Sequence, residues 1–353
     1  MKILLVKLSS LGDVVHTLPV VQDILAALPD AQIDWVVESS FAPVLSLCPG
    51  IHRVVTCELR RWRKAPLSSA TRRAYRAFKA QLRLTAYDAV IDLQGLTKSA
   101  LVAWLARLAP GGKRYALANQ TDGSGYEAPT RWVADVAIRM VPHIDAVQRA
   151  RCLAAQALGY SLARLPDYGL EMPLRQQIRA LFAIENIAND IPSTDIPAHI
   201  PPNSVAFVHG TSRADKAWPL AHWVALGQLL NAAGYSVVLA HGNAPELATS
   251  QAIASALNAA SPSPAALVLP TLPLDALVQV LGACTGVIGV DSGVSHLAVA
   301  LGLPHVQIYN FDTAWRTGPV GARQASVFAQ PVPGVQAVWQ AWLGCMNAGE
   351  TGQ

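Results

Sequence analysis

Charged residues and long apolar runs are both scarce in this chain of 353 residues, and each shortage excludes a class of protein. Charged residues make up 14% of the sequence and apolar residues 52%, which argues against intrinsic disorder and favours a packed α/β protein. The most apolar stretch, residues 265–290, is interrupted by Pro270, Pro273 and Asp275, so we expect strand, helix and strand rather than a membrane span. The chain is long enough for two domains, each with its own core.

Cysteine is also rare. The five cysteines are odd in number and form no Cys-x-x-Cys pair, which argues against a disulfide framework and against a zinc site. This usage is typical of a reduced cytosolic compartment. Only four apolar residues precede Lys7, too few for the apolar core of a signal peptide, so we expect no secretory leader.

Several catalytic signatures are missing from the sequence. No G-x-G-x-x-G follows a predicted strand, and Gly95–Ser99 contains a Lys-Ser pair without the spacing of a Walker phosphate-binding loop. Neither G-x-S-x-G nor H-E-x-x-H occurs. These absences argue against a dehydrogenase, a P-loop NTPase, an α/β-hydrolase and a zinc protease.

Acidic residues are absent from one long segment, because none lies between Glu58 and Asp88. Nine of the 27 basic residues fall within the 24 positions from Arg60 to Arg83. Such a patch predicts an anionic partner, which can be a nucleic acid, a membrane surface or an acidic substrate.

The two halves of this basic segment have different interpretations. Residues 72–83 show an apolar face at Ala74, Phe78 and Leu82, so a solvated basic helix explains them as well as a binding site does. The run Arg60–Lys64, here called the basic cluster, is predicted to lie in a loop. We favour a binding role for it because loops carry many binding residues.

Strand and helix patterns alternate along both halves of the chain, as in doubly wound parallel sheets. In the first half the predicted strands are Lys2–Val6, Ile33–Val37, Val54–Cys57 and Ala89–Leu93, with helices near Val14–Leu28, Phe41–Leu47, Ser69–Leu84, Lys98–Ala106 and Asp145–Leu158. Residues 111–130 are predicted to form a loop. A second series runs from the strand Val205–Val208 to the strand His305–Tyr309.

We therefore predict an α/β fold with two Rossmann-like domains. The first covers residues 1–170. A proline-rich linker, residues 171–203, with a helix near Leu174–Glu185, connects it to the second domain, residues 204–330. The tail, residues 331–353, is predicted to be helical and to pack back on the first domain.

The strongest single pattern is a strand that ends in an acidic and two small residues. The run Gly286–Val290 stops at Asp291, Ser292 and Gly293, and a helical pattern, Val294–Leu301, follows. The first turn of a helix offers unpaired N–H groups and a positive dipole end, and glycine lets the backbone approach a ligand closely. The segment predicts a site for a phosphorylated ligand.

A similar segment lies near the start of the chain, where Gly12 and Asp13 follow the strand Lys2–Val6. Asp13 can cap the following helix or act as a general base, and its spacing alone does not decide between these roles. Strand–loop–helix sites in both halves predict a cleft between the domains.

A third segment, His209–Pro219, begins where the strand Val205–Val208 ends. Its hydroxyls Thr211 and Ser212, together with Lys216, can bind a diphosphate through hydrogen bonds and charge. A polar turn with a capping hydroxyl would show the same pattern. We favour binding because another predicted phosphate site ends a neighbouring strand. His296 can be a packed helix residue or a secondary part of that site.

Six ordered motifs together resemble the type I lipopolysaccharide heptosyltransferases of glycosyltransferase family 9. They are Lys7–Pro19, Trp35–Glu38, Arg60–Lys64, Asp92–Ser99, His209–Pro219 and Asp291–His296. The resemblance extends from Met1 to about Tyr309, and the basic cluster and Ser9-Ser10 favour type I over type II. It implies a GT-B fold, in which two Rossmann-like domains with parallel sheets face each other across a cleft.

The resemblance also implies an activity, namely inverting transfer of L-glycero-D-manno-heptose from ADP-heptose to the first Kdo of Kdo2-lipid A in lipopolysaccharide core synthesis. Asp13 would be the catalytic base. The residues that would bind ADP-heptose are Thr211, Ser212, Lys216, Glu246, Asp291, Ser292, Gly293 and His296. No metal or other cofactor is expected, because a lysine and helix dipoles can replace a divalent cation.

The acceptor-binding residues implied by the resemblance are Ser10, Arg60, Arg63 and Lys64. The enzyme would be cytoplasmic and would contact the cytoplasmic face of the inner membrane peripherally, through its acceptor. Residues 111–143 depart from the family pattern, and Asp122–Gly125 stands where an acceptor-binding arginine is expected.

Two alternatives differ from this interpretation in their partner. A related transferase, such as a type II heptosyltransferase, would use the same donor with another acceptor, and only the basic cluster argues for Kdo. A non-enzymatic nucleotide- or nucleic-acid-binding protein would use the patch from Arg60 to Arg83. It is disfavoured because few aromatic residues interleave with the basic ones, as a stacking platform for bases requires.

Overall fold

The computed structural model describes residues 1–162, 165–170, 200–201, 203–260 and 265–348. The chain divides into two compact units, Met1–Leu170 and Glu171–Gln353. Each contains one six-stranded sheet whose paired strands are all parallel. The predicted linker, with its helix near Leu174–Glu185, lies almost entirely outside the described residues.

The first unit follows the predicted alternation of strands and helices. Its strands are β1 (Lys2–Val6), β2 (Gln32–Glu38), β3 (Ile51–Cys57), β4 (Ala86–Asp92), β5 (Arg107–Leu117) and β6 (Val136–Ile138). Its helices are α1 (Leu11–Val15), α2 (Pro19–Ala27), α3 (Ala42–Leu45), α4 (Leu59–Lys64), α5 (Ser69–Leu82), α6 (Thr97–Leu105), α7 (Pro129–Val133) and α8 (Ala146–Leu158). The sheet order is β3-β2-β1-β4-β5-β6.

The second unit repeats the same architecture. Its strands are β7 (Ser204–Val208), β8 (Ser236–Leu239), β9 (Ala266–Val268), β10 (Gly286–Val290), β11 (His305–Tyr309) and β12 (Gln324–Phe328). Its helices are α9 (Leu220–Ala232), α10 (Ala244–Ala259), α11 (Leu274–Ala283), α12 (Gly293–Ala300), α13 (Ala314–Thr317) and α14 (Val335–Asn347). The sheet order is β12-β11-β10-β7-β8-β9.

Local signals in the sequence explain where several helices begin and end. Ser68 precedes α5 and accepts a hydrogen bond from Thr71 N at 3.1 Å, so it caps free N–H groups of the first turn. Asp145 caps α8 in the same way through Gln148 N. Gly159 ends α8 in the left-handed conformation, at φ 76°, which glycine adopts without steric cost. None of the described helices is both long and apolar enough to span a membrane.

One side of the first sheet carries a core that is covered by successive helices. Residues of β1, β2, β3 and β4 pack there with Trp62 of α4, Phe78 and Leu82 of α5, and Val102 of α6. Strands buried on both sides are expected to be continuous apolar runs, as β1 is. The same core fixes α4, because the Trp62 ring lies 5.5 Å from the Phe78 ring, centroid to centroid.

The tail helix α14 packs in the second unit, in contrast to the prediction that it packs on the first. Its residues Val338, Trp342 and Cys345 are buried in the core formed with β7, β8, β10 and β11. A Cβ atom at Gly286 would lie 2.7 Å from the Trp342 ring, so glycine at the start of β10 permits this close approach. The sequence showed that the tail is helical but could not show which sheet the helix covers.

Three local predictions were wrong. Residues 111–117, predicted as loop, belong to β5, where Pro110, Gly111 and Gly112 obscure the strand pattern and the pairing with β4 shifts register. The basic cluster lies in α4 rather than in a loop. The predicted helix Val14–Leu28 is interrupted, because α1 ends at Val15 and Pro19 begins α2.

The strand order places the predicted sites at one edge of each sheet. In the first unit β1 lies between β2 and β4, and in the second β10 lies between β11 and β7. Consecutive connections depart in opposite directions at such a position, which leaves room for a ligand beyond the carboxyl ends of the strands. The segments that begin at Lys7, His209 and Asp291 follow the ends of β1, β7 and β10 directly, and Asp92 is the last residue of β4.

Candidate active site

The Asp13 side chain lies at the start of α1, directly beyond the carboxyl end of β1. Its Oδ2 atom accepts hydrogen bonds from Ser10 N at 2.9 Å and from Ser10 Oγ at 3.0 Å. The side chain remains 37% exposed, so a substrate can reach it. Asp13 therefore bonds back to the residue before the first turn of α1 and also presents a carboxylate at the sheet edge.

A buried lysine accompanies this carboxylate. Lys7 Nζ lies 3.8 Å from Asp13 Oδ1 and donates a hydrogen bond to Leu93 O at 2.9 Å, and its side chain is 3% exposed. Burial lowers the pKa of Lys7 to about 8, against the opposing charge of Asp13. Burial raises the pKa of Asp13, but the charge of Lys7 and the hydrogen bonds from Ser10 outweigh it and hold the pKa at about 2. Asp13 is therefore ionised at neutral pH.

The loop between β1 and α1 is held in place from β4 and α6. Gln94 Oε1 accepts hydrogen bonds from Leu8 N at 3.0 Å and Ser9 N at 3.1 Å. Lys98 Nζ donates to Ser9 Oγ at 2.7 Å. Asp92 in turn orients this segment, because it accepts from Gln94 N at 2.9 Å. Burial raises the pKa of Asp92 to about 6, although these hydrogen bonds oppose it.

The predicted acceptor-binding residues of the basic cluster lie on the exposed side of α4. Arg60, Arg63 and Lys64 are exposed, whereas Trp62 anchors the helix in the core. Glu38, at the end of β2, is 5% exposed, and its Oε1 atom has no hydrogen-bond partner among the described residues. Its carboxyl group lies at the start of α4, where the backbone N–H groups of Leu59 and Arg60 donate hydrogen bonds to it. Burial raises the pKa of Glu38, and these hydrogen bonds oppose the increase.

Asp291 is the centre of the site in the second unit. It follows β10, is 6% exposed, and its Oδ2 atom accepts a hydrogen bond from Lys216 Nζ at 2.5 Å. His296 Nε2 lies 3.4 Å from its Oδ1 atom, and Gln307 Nε2 donates to the same atom at 3.4 Å. Burial raises the pKa of Asp291, but His296 and Lys216 outweigh it and hold the pKa well below its usual range. Asp291 is ionised and contacts both the Lys216 ammonium group and the His296 ring.

Lys216 reaches this position through a short 3-10 helix, Ala214–Lys216, in the loop after β7. Asn310, at the end of β11, donates to Asp215 O at 3.0 Å and to Ala217 O at 2.9 Å, and so fixes the loop. Thr211 and Ser212 precede the 3-10 helix, and Ser212 is exposed. The loop therefore presents hydroxyl and ammonium groups beyond one strand end.

Ser292 and Gly293 begin α12, as predicted. Ser292 is the residue before the first turn, and its Oγ atom is buried without a hydrogen-bond partner among the described residues. Ser295 Oγ donates to Val290 O at 2.6 Å, so a second hydroxyl is used for structure. An unpaired hydroxyl beside the free N–H groups of a helix start is suited to an anionic oxygen.

Glu246, on α10, lies against the loop after β7. Its Oε2 atom accepts from Gly242 N at 2.7 Å, and a Cβ atom at Gly210 would lie 2.6 Å from its Cδ atom. Glycine at position 210 therefore leaves the space that the carboxylate occupies. His209, the residue before, is bonded to Ser250 Oγ at 2.7 Å, and burial lowers its pKa, so its ring is neutral and structural.

The structure thus brings Lys216, Asp291 and His296 into contact and places Ser292 and Gly293 at the adjacent helix start. Two side chains that contact Asp291 were missed by sequence reasoning: Gln307, and Thr317, whose Oγ1 atom lies 3.5 Å from Asp291 Oδ1. In the first unit, Lys7, Gln94 and Lys98 belong to the sequence motifs but were given no role there. Gln307 could have been found, because it is the one residue of the buried strand β11 that carries a side-chain amide. Among the described residues, no group of three or more His, Cys, Asp or Glu side chains is arranged to hold a metal ion.

Known proteins are similar to this chain in sequence and in architecture. The sequence profile of Glycosyltransferase family 9 (heptosyltransferase) matches residues 75–337. Lipopolysaccharide heptosyltransferase 1 of Pseudomonas aeruginosa is 35% identical over 325 residues, covering 92% of this chain and 82% of that protein. Lipopolysaccharide heptosyltransferase 1 of Escherichia coli K12 is 34% identical over 329 residues, covering 92% of each chain.

Solved structures give the same result. The structure of the E. coli heptosyltransferase WaaC with ADP matches with a TM-score of 0.80 and 32% identity, covering 96% of this chain and 98% of that one. WaaC with ADP-2-deoxy-2-fluoro heptose matches over the whole of both chains, with a TM-score of 0.74 and 31% identity. These matches confirm the predicted GT-B fold and the prediction of a glycosyltransferase. The chain belongs to glycosyltransferase family 9, the heptosyltransferase family.

Proposed function

We propose that this enzyme transfers L-glycero-D-manno-heptose from ADP-heptose to the first Kdo of Kdo2-lipid A, with inversion at the anomeric carbon. The observation that carries the proposal is the ionised, solvent-accessible carboxylate of Asp13, fixed by Ser10 and Lys7. The WaaC structures with ADP and ADP-2-deoxy-2-fluoro heptose support the choice of donor, and the relatives named as lipopolysaccharide heptosyltransferases support an acceptor in lipopolysaccharide.

Asp13 acts as the general base. Its carboxylate accepts the proton of the Kdo hydroxyl while that oxygen bonds to the anomeric carbon of heptose. The bond between the anomeric carbon and the diphosphate oxygen breaks at the same time, and ADP leaves with the bonding electrons. A carboxylate of low pKa suffices, because the attacking oxygen becomes strongly acidic as its bond to carbon forms. A positioned base of this kind contributes roughly 10²–10⁴ in rate.

The donor diphosphate is bound by groups that supply positive charge and N–H donors. Lys216 neutralises the charge that develops on ADP, and its 2.5 Å hydrogen bond to Asp291 Oδ2 fixes its position. Ser292 Oγ and the N–H groups at the start of α12 donate to phosphate oxygens, with Thr211 and Ser212 on the neighbouring loop. Glu246 binds the adenosine ribose, and His296 supports the site by orienting Asp291.

These donors make a divalent cation unnecessary in our proposal, which therefore includes no metal and no other cofactor. The described residues that surround the proposed diphosphate site offer one ammonium group, one imidazole and several N–H and hydroxyl donors. Donors fixed before the reaction stabilise a leaving group as a metal ion would.

The acidic acceptor is bound by Ser10, Arg60, Arg63 and Lys64. The three basic residues are exposed on α4, and Trp62 anchors the helix in the core of the first unit. Because the acceptor is a membrane lipid with an acidic headgroup, we further propose that the enzyme works at the cytoplasmic face of the inner membrane.

The test is ADP release from ADP-heptose with and without Kdo2-lipid A, in the presence of EDTA. Release that depends on the acceptor and persists in EDTA is the expected result. ADP binding without release would keep the donor site and require another acceptor, as in a type II heptosyltransferase. Failure to bind ADP would overturn the donor site and the proposal with it.

A further inference from the structure

Helices α4 to α7 cover the same side of the first sheet, so their outward sides form one continuous surface. Phe78 and Leu82 of α5 share a core with Val102 and Leu105 of α6, and Val133 of α7 packs against that core. Arg83 NH1 donates to Leu105 O at 3.2 Å and so joins the end of α5 to the end of α6. Helix α7 in turn packs on α6.

The α6–α7 part of this surface is aromatic and apolar. Trp104 is 60% exposed and Trp132 is 76% exposed, whereas the other seven of the nine tryptophans are buried or half-buried. Leu101, three residues before Trp104 on the same side of α6, is 47% exposed. Large apolar side chains that are exposed together, rather than singly, mark an interaction surface.

The α5 part of the surface is cationic. Its exposed basic residues are Arg72, Arg73, Arg76 and Lys79, and Arg131 lies beside Trp132 on α7. No acidic residue occurs between Glu58 and Asp88 to neutralise them. The acids near α6 and α7 are engaged locally, because Glu127 accepts from Thr97 N and Asp135 from Arg114 N, both at 2.7 Å.

We propose that this surface, the cationic–aromatic face, docks the enzyme on an anionic lipid bilayer. The face consists of Arg72, Arg73, Arg76, Lys79, Leu101, Trp104, Arg131 and Trp132. Tryptophan rings favour the interface between headgroups and acyl chains, and each basic residue near an anionic surface adds to the attraction. The proposed function identifies which membrane this is, but lipid binding by this face does not depend on catalysis.

The charge of the face argues for lipid rather than for a second copy of the chain. A two-fold dimer through this surface would place the same patch opposite itself, so the basic residues of α5 would repel one another. On an anionic bilayer, lipid headgroups would instead pair with the basic residues of α5, and the tryptophan rings of α6 and α7 would insert between the headgroups and the acyl chains. The face also differs from the basic cluster on α4, which we assign to the acceptor headgroup.

The experiment measures binding of the full chain to vesicles that contain no acceptor lipid. Sedimentation with phosphatidylcholine vesicles is compared with sedimentation with mixed phosphatidylcholine–phosphatidylglycerol vesicles. Wild-type protein is expected to bind only the anionic vesicles, and increasing salt is expected to weaken the binding. Trp104→Ala/Trp132→Ala should reduce partitioning about tenfold or more, since two exposed indole rings are lost. Arg72→Gln/Arg76→Gln should reduce it about tenfold at low salt.

The matched control is Leu165→Ala/Val320→Ala, which truncates two apolar residues that are 87% and 78% exposed elsewhere. Its vesicle binding should equal that of wild type, and all variants should retain ADP affinity, which shows that they are folded. Unchanged vesicle binding by the tryptophan variant would overturn the proposal. A wild-type dimer that this variant dissociates would overturn it too, in favour of a second copy. Neither result would affect acceptor-dependent ADP release, so the proposed function is tested separately.

Discussion

Lys216 Nζ donates a 2.5 Å hydrogen bond to Asp291 Oδ2, which joins the loop after β7 to the end of β10. These two strands are neighbours in the sheet, whereas the residues are 75 positions apart in sequence. The bond fixes an ammonium group beside the start of α12. An anionic ligand at that position would meet a lysine charge and the N–H groups of the helix together.

We predict that Lys216→Ala weakens ADP binding by about ten- to a hundredfold, the range expected for a charged hydrogen bond. The loss has two causes. The substitution removes the positive charge that attracts the diphosphate, and it leaves the negative charge of Asp291 without its lysine partner, so that this charge repels the diphosphate. Isothermal titration calorimetry with ADP measures the effect, and Lys216→Arg, which keeps the charge, should lose less. Unchanged affinity in Lys216→Ala would remove Lys216 from the donor site.

Asp13→Asn should strongly reduce turnover while leaving ADP affinity nearly unchanged, because Asp13 lies in the first unit and is assigned to the acceptor hydroxyl. The expected loss in kcat is roughly 10²–10⁴. Ser10→Ala should have a smaller effect, since Asp13 keeps its bond from Ser10 N when the hydroxyl is removed. Substantial activity in Asp13→Asn would show that another group accepts the proton.

Lys7→Met should raise the pH at which activity falls on the acidic side. The charge of Lys7 lowers the pKa of Asp13, which is about 2, so its removal moves this pKa upward. The base is active when ionised, and the acidic limb of the kcat/KM profile should therefore shift to higher pH. The test records this profile together with thermal unfolding, which checks folding of the buried variant. An unmoved limb would mean that Lys7 does not control Asp13.

Gly210→Ala should weaken ADP binding with little loss of stability. The new Cβ atom would lie 2.6 Å from Glu246 Cδ, and the flexible carboxylate can move aside, which breaks its bond to Gly242 N. Gly344→Ala is the matched control, because no atom lies within 4 Å of the added methyl group in α14. That variant should keep its ADP affinity and gain about 0.5–1 kcal/mol in the free energy of unfolding. Equal ADP affinity in both variants would argue against a role for Glu246.

Arg63→Glu/Lys64→Glu should raise the KM for Kdo2-lipid A and leave the KM for ADP-heptose unchanged. Both residues are exposed on α4, so charge reversal repels an acidic acceptor without disturbing the core. Lys113→Glu, at an exposed position of β5, is the control for net charge and should leave both values unchanged. Equal increases in both KM values would contradict a specific acceptor role.

Local patterns along the chain were enough to predict the two αβ series and the positions of the candidate site segments. Apolar runs such as Ile3–Val6 and Gly286–Val290 are local patterns, and so are the acidic and small residues that end them. Strand interiors and helix starts are specified by neighbouring residues, so they can be read along the chain. Where such local signals were weak, as at Pro110–Gly112 in β5, the prediction was wrong.

Which of these groups meet depends on how the strands and helices pack together. The strand order brings Lys216 to Asp291, places Lys7 beside Asp13, and packs α14 on the second sheet. It also puts the arginines of α5 on the same side of the first unit as Trp104 and Trp132. These relationships depend on which strands pair and on which side of a sheet each helix crosses. Such choices are set by long-range packing, which residue patterns within one segment do not encode.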